Sequence, residues 1–248
     1  MILCIDIGNT NVVTAIWDGE KYFNEHRIDS VENIEGRLSH IDFNMISKII
    51  FSSVVPKLAD EYIHKLKDLT KITPFIVNFQ NCTLELDVDL PQEVGADRIC
   101  NSFAAKHLFA SPAVVIDFGS ATTYDVIDVN GTFIGGAIAP GIDISAYNLI
   151  QKTALLKSAA FQFPKKVIGK NTETNLQSGI MFGGLDSVNG MLNRIQAEMK
   201  WGKMTIILTG GFSTLISTKL DRIHHLVPHL TLDGMRLVAK ETYLQKNL

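Results

Sequence analysis

The first thirty residues alternate between apolar runs and short polar breaks, which predicts a series of strands. The apolar run Ile2–Ile7 leads into Gly8-Asn9-Thr10-Asn11, so we predict a buried strand that enters a tight polar loop. A second strand is predicted at residues 12–17, followed by Asp18-Gly19, a hairpin signal because glycine tolerates the positive φ of such turns. The returning strand is predicted at residues 21–28.

The same order of patterns recurs in the middle of the chain. An apolar run at residues 113–116 meets Asp117-Phe118-Gly119, and strands are predicted at 124–129 and 132–138 around the turn Asn130-Gly131. Gly19 follows Asp6 by 13 positions, and Gly131 follows Asp117 by 14. This spacing indicates an internal duplication of one supersecondary unit.

Between these two units the apolar spacing is mostly helical. Residues 32–69 carry helical signals, interrupted by a strand-like run at 48–55. Pro56 is suited to the first position of the helix that follows, where its missing N–H costs nothing. A short strand is predicted at residues 75–77, and an extended, mildly acidic segment at 80–91.

A clear amphipathic helix is predicted after Gly95-Ala96, with Asp97 and Arg98 in its first turn. The apolar positions predicted to share one face are Ile99, Phe103, Ala104 and Leu108. The polar positions predicted to lie largely off that face are Arg98, Asn101, Ser102 and Lys106. Asp97 suits the positive end of the helix dipole and Arg98 does not, so we expect Arg98 to have a partner.

Three further helical segments are predicted in the second half. One runs from Gly141 to about residue 152, a long one from 173 towards 200 with Thr172 as its N-cap, and a final one over 233–248 capped by Asp233. Loops are predicted at 153–164 and 169–172, and a strand at 205–208. Core candidates in the long helix are Ile180, Leu185, Val188, Leu192 and Ile195. The helical glycines for which we expect close packing, because glycine is costly in a helix, are Gly183, Gly184 and Gly190.

Composition narrows the class of protein. The chain of 248 residues is long enough for one large or two modest domains, and 46% hydrophobic and 20% charged residues are typical of a globular protein. The net charge of −3, with no basic block, predicts no nucleic-acid partner. With no signal-peptide pattern and no run long enough to span a bilayer, we expect a cytoplasmic protein without a membrane partner.

The cysteines and histidines predict neither a disulfide nor a metal centre. Cys4, Cys82 and Cys100 are odd in number and lack CxxC spacing, so free buried thiols are expected. His225 and His229 have the i, i+4 spacing of some metal ligands. The intervening Pro228 disfavours a regular helix between them, so we do not expect a metal there.

Three glycine-containing loops that follow strands carry the candidate chemistry. Two have the form Asp-x-Gly, at Asp6 and Asp117, and the third is Thr209-Gly210-Gly211. Glycines let the backbone approach a polyphosphate, hydroxyls donate to its oxygens, and a strand-end aspartate can hold a hydrated metal ion. These features predict two similar halves with a nucleotide in the cleft between them.

The residues of these loops, and the polar residues at two predicted helix starts, also have purely structural explanations. Asp6 and Asp117 are compatible with turn-capping carboxylates, and Asp97 with a first-turn residue favoured by the helix dipole. Thr172 is suited to a helix N-cap in any case. The Thr-Gly-Gly stretch at 209–211 is compatible with simple punctuation between a strand and a helix.

The duplicated hairpins resemble the superfamily of actin, sugar kinases and heat-shock ATPases, and the ordered motifs are similar to those of type III pantothenate kinase. The motifs are Asp6-Ile7-Gly8-Asn9-Thr10, Glu93-Val94-Gly95-Ala96-Asp97-Arg98, Asp117-Phe118-Gly119-Ser120-Ala121-Thr122-Thr123, Gly135-Gly136 with Pro140-Gly141, Thr153-Ala154-Leu155, Ile168-Gly169-Lys170-Asn171-Thr172 with Ser178-Gly179, and Thr209-Gly210-Gly211. The resemblance implies an α/β fold, a duplicated actin-like (ribonuclease H-like) two-lobed fold with mixed sheets flanked by helices. It places an N-terminal lobe at 1–110 and a C-terminal lobe with dimerisation helices at 111–248, and makes the last helix a candidate to pack on the first lobe.

The resemblance implies ATP-dependent phosphorylation of pantothenate to 4'-phosphopantothenate, the first step of coenzyme A biosynthesis. The residues it assigns to ATP are Asp6, Ile7, Gly8, Asn9, Thr10, Asn11, Val12, Val13 and Ser120. It places magnesium at Asp6, with water as a possible bridge, and a monovalent cation, potassium or ammonium, at Asp117.

The resemblance also implies a pantothenate site. Gly95, Ala96, Asp97 and Arg98 would hold the substrate, and Asp97 would be the base that orients and deprotonates the attacking hydroxyl. Thr172 would contact pantothenate in a pocket completed across a homodimer interface.

Two positions depart from the family pattern. Ser120 stands where threonine is common, and the hydroxyl survives. Val88, three residues before Pro91, stands where an aromatic side chain often lines the pantothenate pocket, so a change in substrate packing is expected. Two alternatives therefore stand beside the kinase: a same-fold kinase or phosphatase with a different acceptor, and a non-catalytic regulatory relative. The four polar groups Asp6, Asp97, Arg98 and Asp117 argue against the last, since binding alone does not require them.

Overall fold

A computed structural model describes residues 1–30, 34–153 and 159–245. The predicted helical residues 32 and 33, the predicted loop residues 154–158 (with Ala154 and Leu155) and the last three residues of the predicted final helix lie outside that description. Two compact units result, one of Met1–Leu108, Gly131–Phe133 and His229–Leu248, the other of Phe109–Asn130 and Ile134–Pro228. Within the described residues, no helix is long and apolar enough to cross a membrane.

The described residues contain ten strands and seven α-helices. The strands are β1 (Ile2–Ile7), β2 (Asn11–Trp17), β3 (Tyr22–Asp29), β4 (Lys48–Ser53), β5 (Phe75–Ile76), β6 (Ala113–Phe118), β7 (Ala121–Ile127), β8 (Phe133–Pro140), β9 (Thr205–Gly210) and β10 (His225–Leu226). The helices are α1 (Ile34–Leu38), α2 (Pro56–Thr70), α3 (Ala96–Leu108), α4 (Ile142–Gln151), α5 (Thr172–Met199), α6 (Ser213–Ser217) and α7 (Leu230–Gln245).

The two sheets repeat one strand order, which confirms the predicted duplication. The first sheet has the order β3-β2-β1-β4-β5, with β1 antiparallel to β2 and parallel to β4. The second has the order β8-β7-β6-β9-β10, with β6 antiparallel to β7 and parallel to β9. The repeat thus includes a fourth and a fifth strand that the sequence pattern did not reveal as part of it. The mixed sheets flanked by helices confirm the predicted fold class.

The two glycine loops close the first hairpin of each sheet, and they differ by one residue. The pair Ile7–Val12 closes a loop of residues 8–11, whereas the pair Phe118–Thr122 closes a loop of residues 119–121. In each loop the glycine N–H donates to the carbonyl of the last residue, at 2.9 Å in the first loop and 3.0 Å in the second. The first loop therefore has a longer tip.

Both faces of the first sheet are covered. Leu3 and Ile5 of β1 pack into a cluster with Tyr62 and Leu66 of α2. The intervening Cys4 points to the opposite cluster, formed with α3 and α7. Alternation along one strand therefore supplies two apolar layers, as expected for a strand buried on both sides.

The packing of α7 on α3 corrects the predicted polar side of α3. Asn101 and Ser102 are fully buried, and Asn101 Oδ1 accepts a hydrogen bond from Thr231 Oγ1 at 2.8 Å. A Cβ at Gly234 would overlap the backbone of Cys100. Thr231, 130 residues further along the chain, thus covers Asn101, which was predicted to lie off the apolar face, while Leu108, predicted to share that face, is 47% exposed.

Two predicted helix caps were wrong, and the prediction of close packing at helical glycines was right at one of three positions. Helix α5 begins at Thr172, and its N-cap is Asn171, whose side chain accepts the N–H of Thr174. Helix α7 begins at Leu230, so Asp233 lies in its first turn and does not cap it. Of the three helical glycines, Gly184 faces Ile142, whereas a Cβ at either of the other two would meet no atom of the described residues within 4 Å.

Candidate active site

The first glycine loop follows β1 and begins with Asp6, which is partly exposed at the end of that strand. The loop is held from outside by Ser30, whose N–H donates to Thr10 at 2.9 Å and whose hydroxyl donates to Gly8 at 3.1 Å. Asn9 and Thr10 are exposed at the tip. These contacts fix the loop backbone while its tip faces solvent.

Not every residue assigned to ATP exposes its side chain. Ile7 and Val12 are fully buried, and Val13 is partly buried in β2. Ile7 and Val12 can therefore contact a ligand only through the backbone. The members of this set with polar side chains that solvent can reach are Asp6, Asn9, Thr10, Asn11 and Ser120.

Asp97 lies in the first turn of α3, where its Oδ1 accepts the backbone N–H of Arg98 at 2.8 Å. Burial raises the pKa of the Asp97 carboxyl, opposed by that hydrogen bond and by the Arg98 guanidinium. A Cβ at Gly95 would lie 2.5 Å from Asp97 Oδ1, so any larger residue at this position would displace the carboxylate. The result is a partly buried carboxylate of raised basicity held at a helix start.

Asp6, predicted to hold magnesium, and Asp97, predicted to be the catalytic base, both affect the pKa of one buried thiol. The pKa of Cys100 is raised well above its ordinary value, chiefly by burial and further by the negative charges of Asp6 and Asp97. The Ser52 hydroxyl, fully buried beside β1, also faces this thiol. The tertiary structure thus brings the end of β1 and the start of α3 together around Cys100.

The other predicted substrate residues lie nearby on the same unit. Ala96 is buried, and the Cζ atom of Arg98 lies 5.3 Å from the ring centroid of Phe133. Val88 is partly buried against the apolar cluster that contains Ile99. The predicted partner of Arg98 thus includes an aromatic face, which sequence inspection missed.

The second glycine loop contains Asp117 and Ser120, both partly exposed. The Ser120 carbonyl accepts the N–H of Gly141, the N-cap of α4, at 3.1 Å. A Cβ at Gly141 would lie 2.6 Å from that carbonyl oxygen. The Pro140-Gly141 motif therefore exists because α4 starts directly against this loop.

The Thr-Gly-Gly motif at the end of β9 has a similar explanation. Gly210 has a φ of +84°, and a Cβ there would overlap the Asp117 carboxylate and the Phe118 backbone. The Gly211 N–H donates to the Phe118 carbonyl at 2.9 Å. Both glycines thus allow the end of β9 to pack closely against Asp117 and Phe118. The alternative prediction, that Thr-Gly-Gly only separates a strand from a helix, missed this role.

Thr172 is exposed at the first turn of α5 and lines a cavity of about 860 Å³ in the second unit. Most of the lining is apolar, and the polar side chains in it are Thr122, Tyr124, Ser145, Thr172, Asn175 and Ser187. Gly169 has no room for a Cβ because Asn175 packs against it, and Ser178 donates to the Val167 carbonyl. These contacts fix the turn before α5, so Thr172 lies at the edge of the cavity.

The remaining candidate groups have other partners. His229 contacts Glu25 at 2.8 Å, and the His225 ring packs on Phe109 with centroids 4.8 Å apart. All three cysteines are free, with Cys4 and Cys100 buried and Cys82 partly buried. Over the described ranges, no group of three or more histidine, cysteine, aspartate or glutamate side chains could hold a metal ion.

The chain matches the sequence model of one protein family and many individual proteins. The family is described as type III pantothenate kinase, and its model matches residues 2–194. Among the relatives named Type III pantothenate kinase, one from Roseiflexus sp. (strain RS-1) is 39% identical and aligns over 96% of this chain and 98% of its own length. Another, from Geobacillus kaustophilus, is 37% identical over 99% of this chain and 100% of its own.

Solved structures with low sequence identity share the fold. A Baf family protein from Campylobacter jejuni superposes with a TM-score of 0.66 at 22% identity, covering 99% of this chain and 100% of that one. An activator of the 2-hydroxyisocaproyl-CoA dehydratase from Clostridium difficile gives 0.51 at 10% identity, covering 100% and 97%. Matching motifs, fold and relatives over nearly the full length together show that the chain belongs to the type III pantothenate kinase family.

Proposed function

We propose that this protein transfers the γ-phosphoryl group of ATP to the hydroxyl of pantothenate, giving 4'-phosphopantothenate for coenzyme A synthesis. The observation that carries the proposal is the setting of Asp97. Its carboxylate is partly buried, has a raised pKa, accepts the Arg98 N–H and occupies space that the missing side chain of Gly95 leaves open. A carboxylate of raised basicity is suited to accept a proton from an alcohol as that alcohol attacks phosphorus.

The other residues are proposed to bind and orient the two substrates. Arg98, with Gly95 and Ala96, would hold pantothenate beside Asp97. The first loop, from Asp6 to Val13, and Ser120 of the second loop would bind ATP, because loop N–H groups and hydroxyls suit phosphate oxygens. Positioning and charge stabilisation supply most of the rate in phosphoryl transfer, so rigid loops are the expected equipment.

The donor atoms fit the cations that the family implies. Asp6 and Asp117 are strand-end carboxylates reachable by solvent, and hard oxygen donors suit magnesium and potassium. We propose that Asp6 holds magnesium, directly or through water, and that Asp117, which lies against Gly210, holds a potassium or ammonium ion. Such cations neutralise phosphate charge when bound; the protein's part is to fix the carboxylates.

We further propose a homodimer in which Thr172 of one protomer completes the pantothenate site of the other. Thr172 is exposed and lines an open, mostly apolar cavity, and exposed apolar side chains on the same unit include Ile138, Tyr147, Leu149 and Ile168. Contiguous apolar surface is typical of an interaction site, and Leu149 lines the same cavity as Thr172. Within each chain, residues 1–110 and 111–248 would act as the two lobes, with the last helix, α7, packed on the first.

The test is an acceptor screen. Purified protein with ATP, magnesium and potassium should consume ATP only when pantothenate is added, in an assay coupled to ADP release. The panel should include sodium and ammonium, and other small alcohols as acceptors, because Val88 in place of an aromatic side chain is the feature that favours a different acceptor. Turnover with another alcohol but not pantothenate would establish the same-fold alternative; absence of any turnover would exclude the kinase.

A further inference from the structure

Phe133 lies outside all of the family motifs. It is the first residue of β8, a strand of the second sheet, but it belongs to the first unit. Residues Gly131–Phe133 group with Met1–Leu108. The Phe133 side chain is 1% exposed and packs in the cluster that contains Ile99 and Phe103 of α3. The turn of the second hairpin is therefore part of the wall behind the candidate substrate segment.

The backbone of Phe133 fixes the chain that leads to Val88. Its N–H donates to the Glu85 carbonyl at 2.9 Å, and its carbonyl accepts the Asp87 N–H at 2.9 Å. Leu86 and Phe133 form a parallel β-bridge, and Thr132 Oγ1 donates to the Glu85 carboxylate at 3.2 Å. These bonds hold residues 85–87 in place, so Val88 is the first residue beyond a fixed segment.

The ring of Phe133 lies against the guanidinium of Arg98. The distance of 5.3 Å from Arg98 Cζ to the ring centroid lies within the range of a cation–π interaction. An arginine has many rotamers in solution, and an aromatic face on one side selects among them. Phe133 therefore contacts Arg98 through its ring and holds the segment before Val88 through its backbone.

We propose that Phe133 is a positioning residue for pantothenate: its backbone sets the segment before Val88 and its ring sets Arg98. This inference rests on the proposed function, because it takes Arg98 and Val88 to face pantothenate. Phe133 itself touches no reacting atom. Loss of its ring is expected to weaken pantothenate capture while leaving ATP binding and the chemical step nearly unchanged.

The experiment compares Phe133→Leu and Phe133→Tyr with Phe103→Leu. Phe103 lies in the same cluster and is equally buried, but its ring stacks on His107, so Phe103→Leu controls for a softened core. Phe133→Leu should raise KM for pantothenate about five-fold, the size of one cation–π contact, with kcat and KM for ATP within two-fold. Phe133→Tyr keeps the aromatic face and should restore KM, and thermal unfolding of each variant confirms that it is folded.

A second readout does not depend on activity. In wild-type protein labelled with ¹⁵N-arginine, the side-chain N–H signal of Arg98, assigned with Arg98→Lys, should show an upfield ring-current shift that disappears in Phe133→Leu and persists in Phe103→Leu. An unchanged Arg98 signal in folded Phe133→Leu, or equal rises in KM for both leucine variants, would overturn the proposal. If wild type shows the shift but no turnover with pantothenate, the proposed function fails while the Phe133–Arg98 contact stands.

Discussion

At the scale of single residues, the burial of Asp97 both raises the basicity of its carboxylate and lowers the free energy of unfolding when that carboxylate is ionised. Burial raises its pKa, which means that the folded protein disfavours the charged form relative to the unfolded chain. The same burial makes the carboxylate a better base. The Arg98 N–H holds the carboxylate in this position, and Gly95 leaves room for it.

We expect Asp97→Asn to lower kcat about 10²- to 10⁴-fold, the usual contribution of a general base. Asparagine keeps an oxygen that can accept the Arg98 N–H, so fold and nucleotide binding should persist. Steady-state kinetics and calorimetric titration with a non-hydrolysable ATP analogue measure the two effects. Full activity of the variant would remove Asp97 from the role of base.

The pH dependence of Asp97 follows from the direction of its pKa shift. The base works only when ionised, so kcat/KM for pantothenate should fall as pH drops through a pKa above about 3.9, the ordinary aspartate value. A raised folded-state pKa contributes stability below the unfolded-state pKa that is lost as pH rises through the folded-state pKa. Asp97→Asn should therefore melt at a higher temperature than wild type at pH 7, with the gap closing in acid; a lower melting temperature at pH 7 would contradict this.

Gly95→Ala should act on catalysis through Asp97. The added methyl would lie 2.5 Å from Asp97 Oδ1, so the carboxylate must move. A displaced base misses the substrate proton, and we expect kcat to fall about 10²-fold, consistent with the sensitivity of reacting geometry to displacements near 1 Å. Gly202→Ala is the control because a Cβ there meets nothing within 4 Å; equal activity of both variants would show that Gly95 serves no such purpose.

At the scale of elements, the contact between α3 and α7 holds the start of α3 in place. Gly234 of α7 lies directly on the backbone of Cys100, one turn after Asp97. Arg236 of α7 bonds to Asp233 at 3.2 Å and lies 4.1 Å from the Trp17 ring centroid. One helix thus ties α3 to the first sheet.

Two glycine-to-alanine changes in helices should have opposite signs. Gly234→Ala would force α7 away from α3, and overpacking of this kind costs typically about 1–3 kcal/mol. Gly190→Ala in α5 meets open space, so the better helix propensity of alanine should add about 0.5–1 kcal/mol. Denaturant melts of both variants measure the difference; destabilisation of equal size would mean that the α3–α7 contact is not the cause.

At the scale of the whole molecule, the proposed dimer predicts that one active site needs residues from two chains. If Asp97 of one protomer and Thr172 of the other form one site, a hybrid of Asp97→Asn and Thr172→Arg chains contains one intact site. Mixing the two inactive variants, with exchange of subunits, should then restore measurable turnover. Sedimentation should give twice the chain mass of 27.4 kDa; a dimer without restored turnover would place both residues in one protomer's site.

Much of the fold was predictable because its signals are local. Apolar runs bounded by glycine or proline identified β1, β2, β4 and the start of α2 at Pro56, and they needed no distant partner. Repetition then added evidence that no single run carries, since the same order of strand, loop and hairpin occurs twice. The ordered motifs also identified the family.

Errors arose where the outcome depended on distant residues. Asn101 and Ser102 are polar but buried, and Asn101 is covered by Thr231 of α7. Gly183 and Gly190 were expected to pack closely, yet no described neighbour approaches them. At the N-terminus of α5, the local prediction missed by one residue, because Asn171 and Thr174 form a reciprocal pair of hydrogen bonds.

By itself, the sequence determined the strand order within each hairpin, the two Asp-x-Gly loops and the family, because these depend on residues close in the chain or on their order. Only the tertiary structure decided three contacts. Gly210 and Gly141 pack against the second loop, the charges of Asp6 and Asp97 raise the pKa of Cys100, and the Phe133 ring lies against Arg98. Each of these is a contact between residues far apart in sequence. Close approach of separate backbones leaves no periodic signature, so it becomes visible only when the chain is folded.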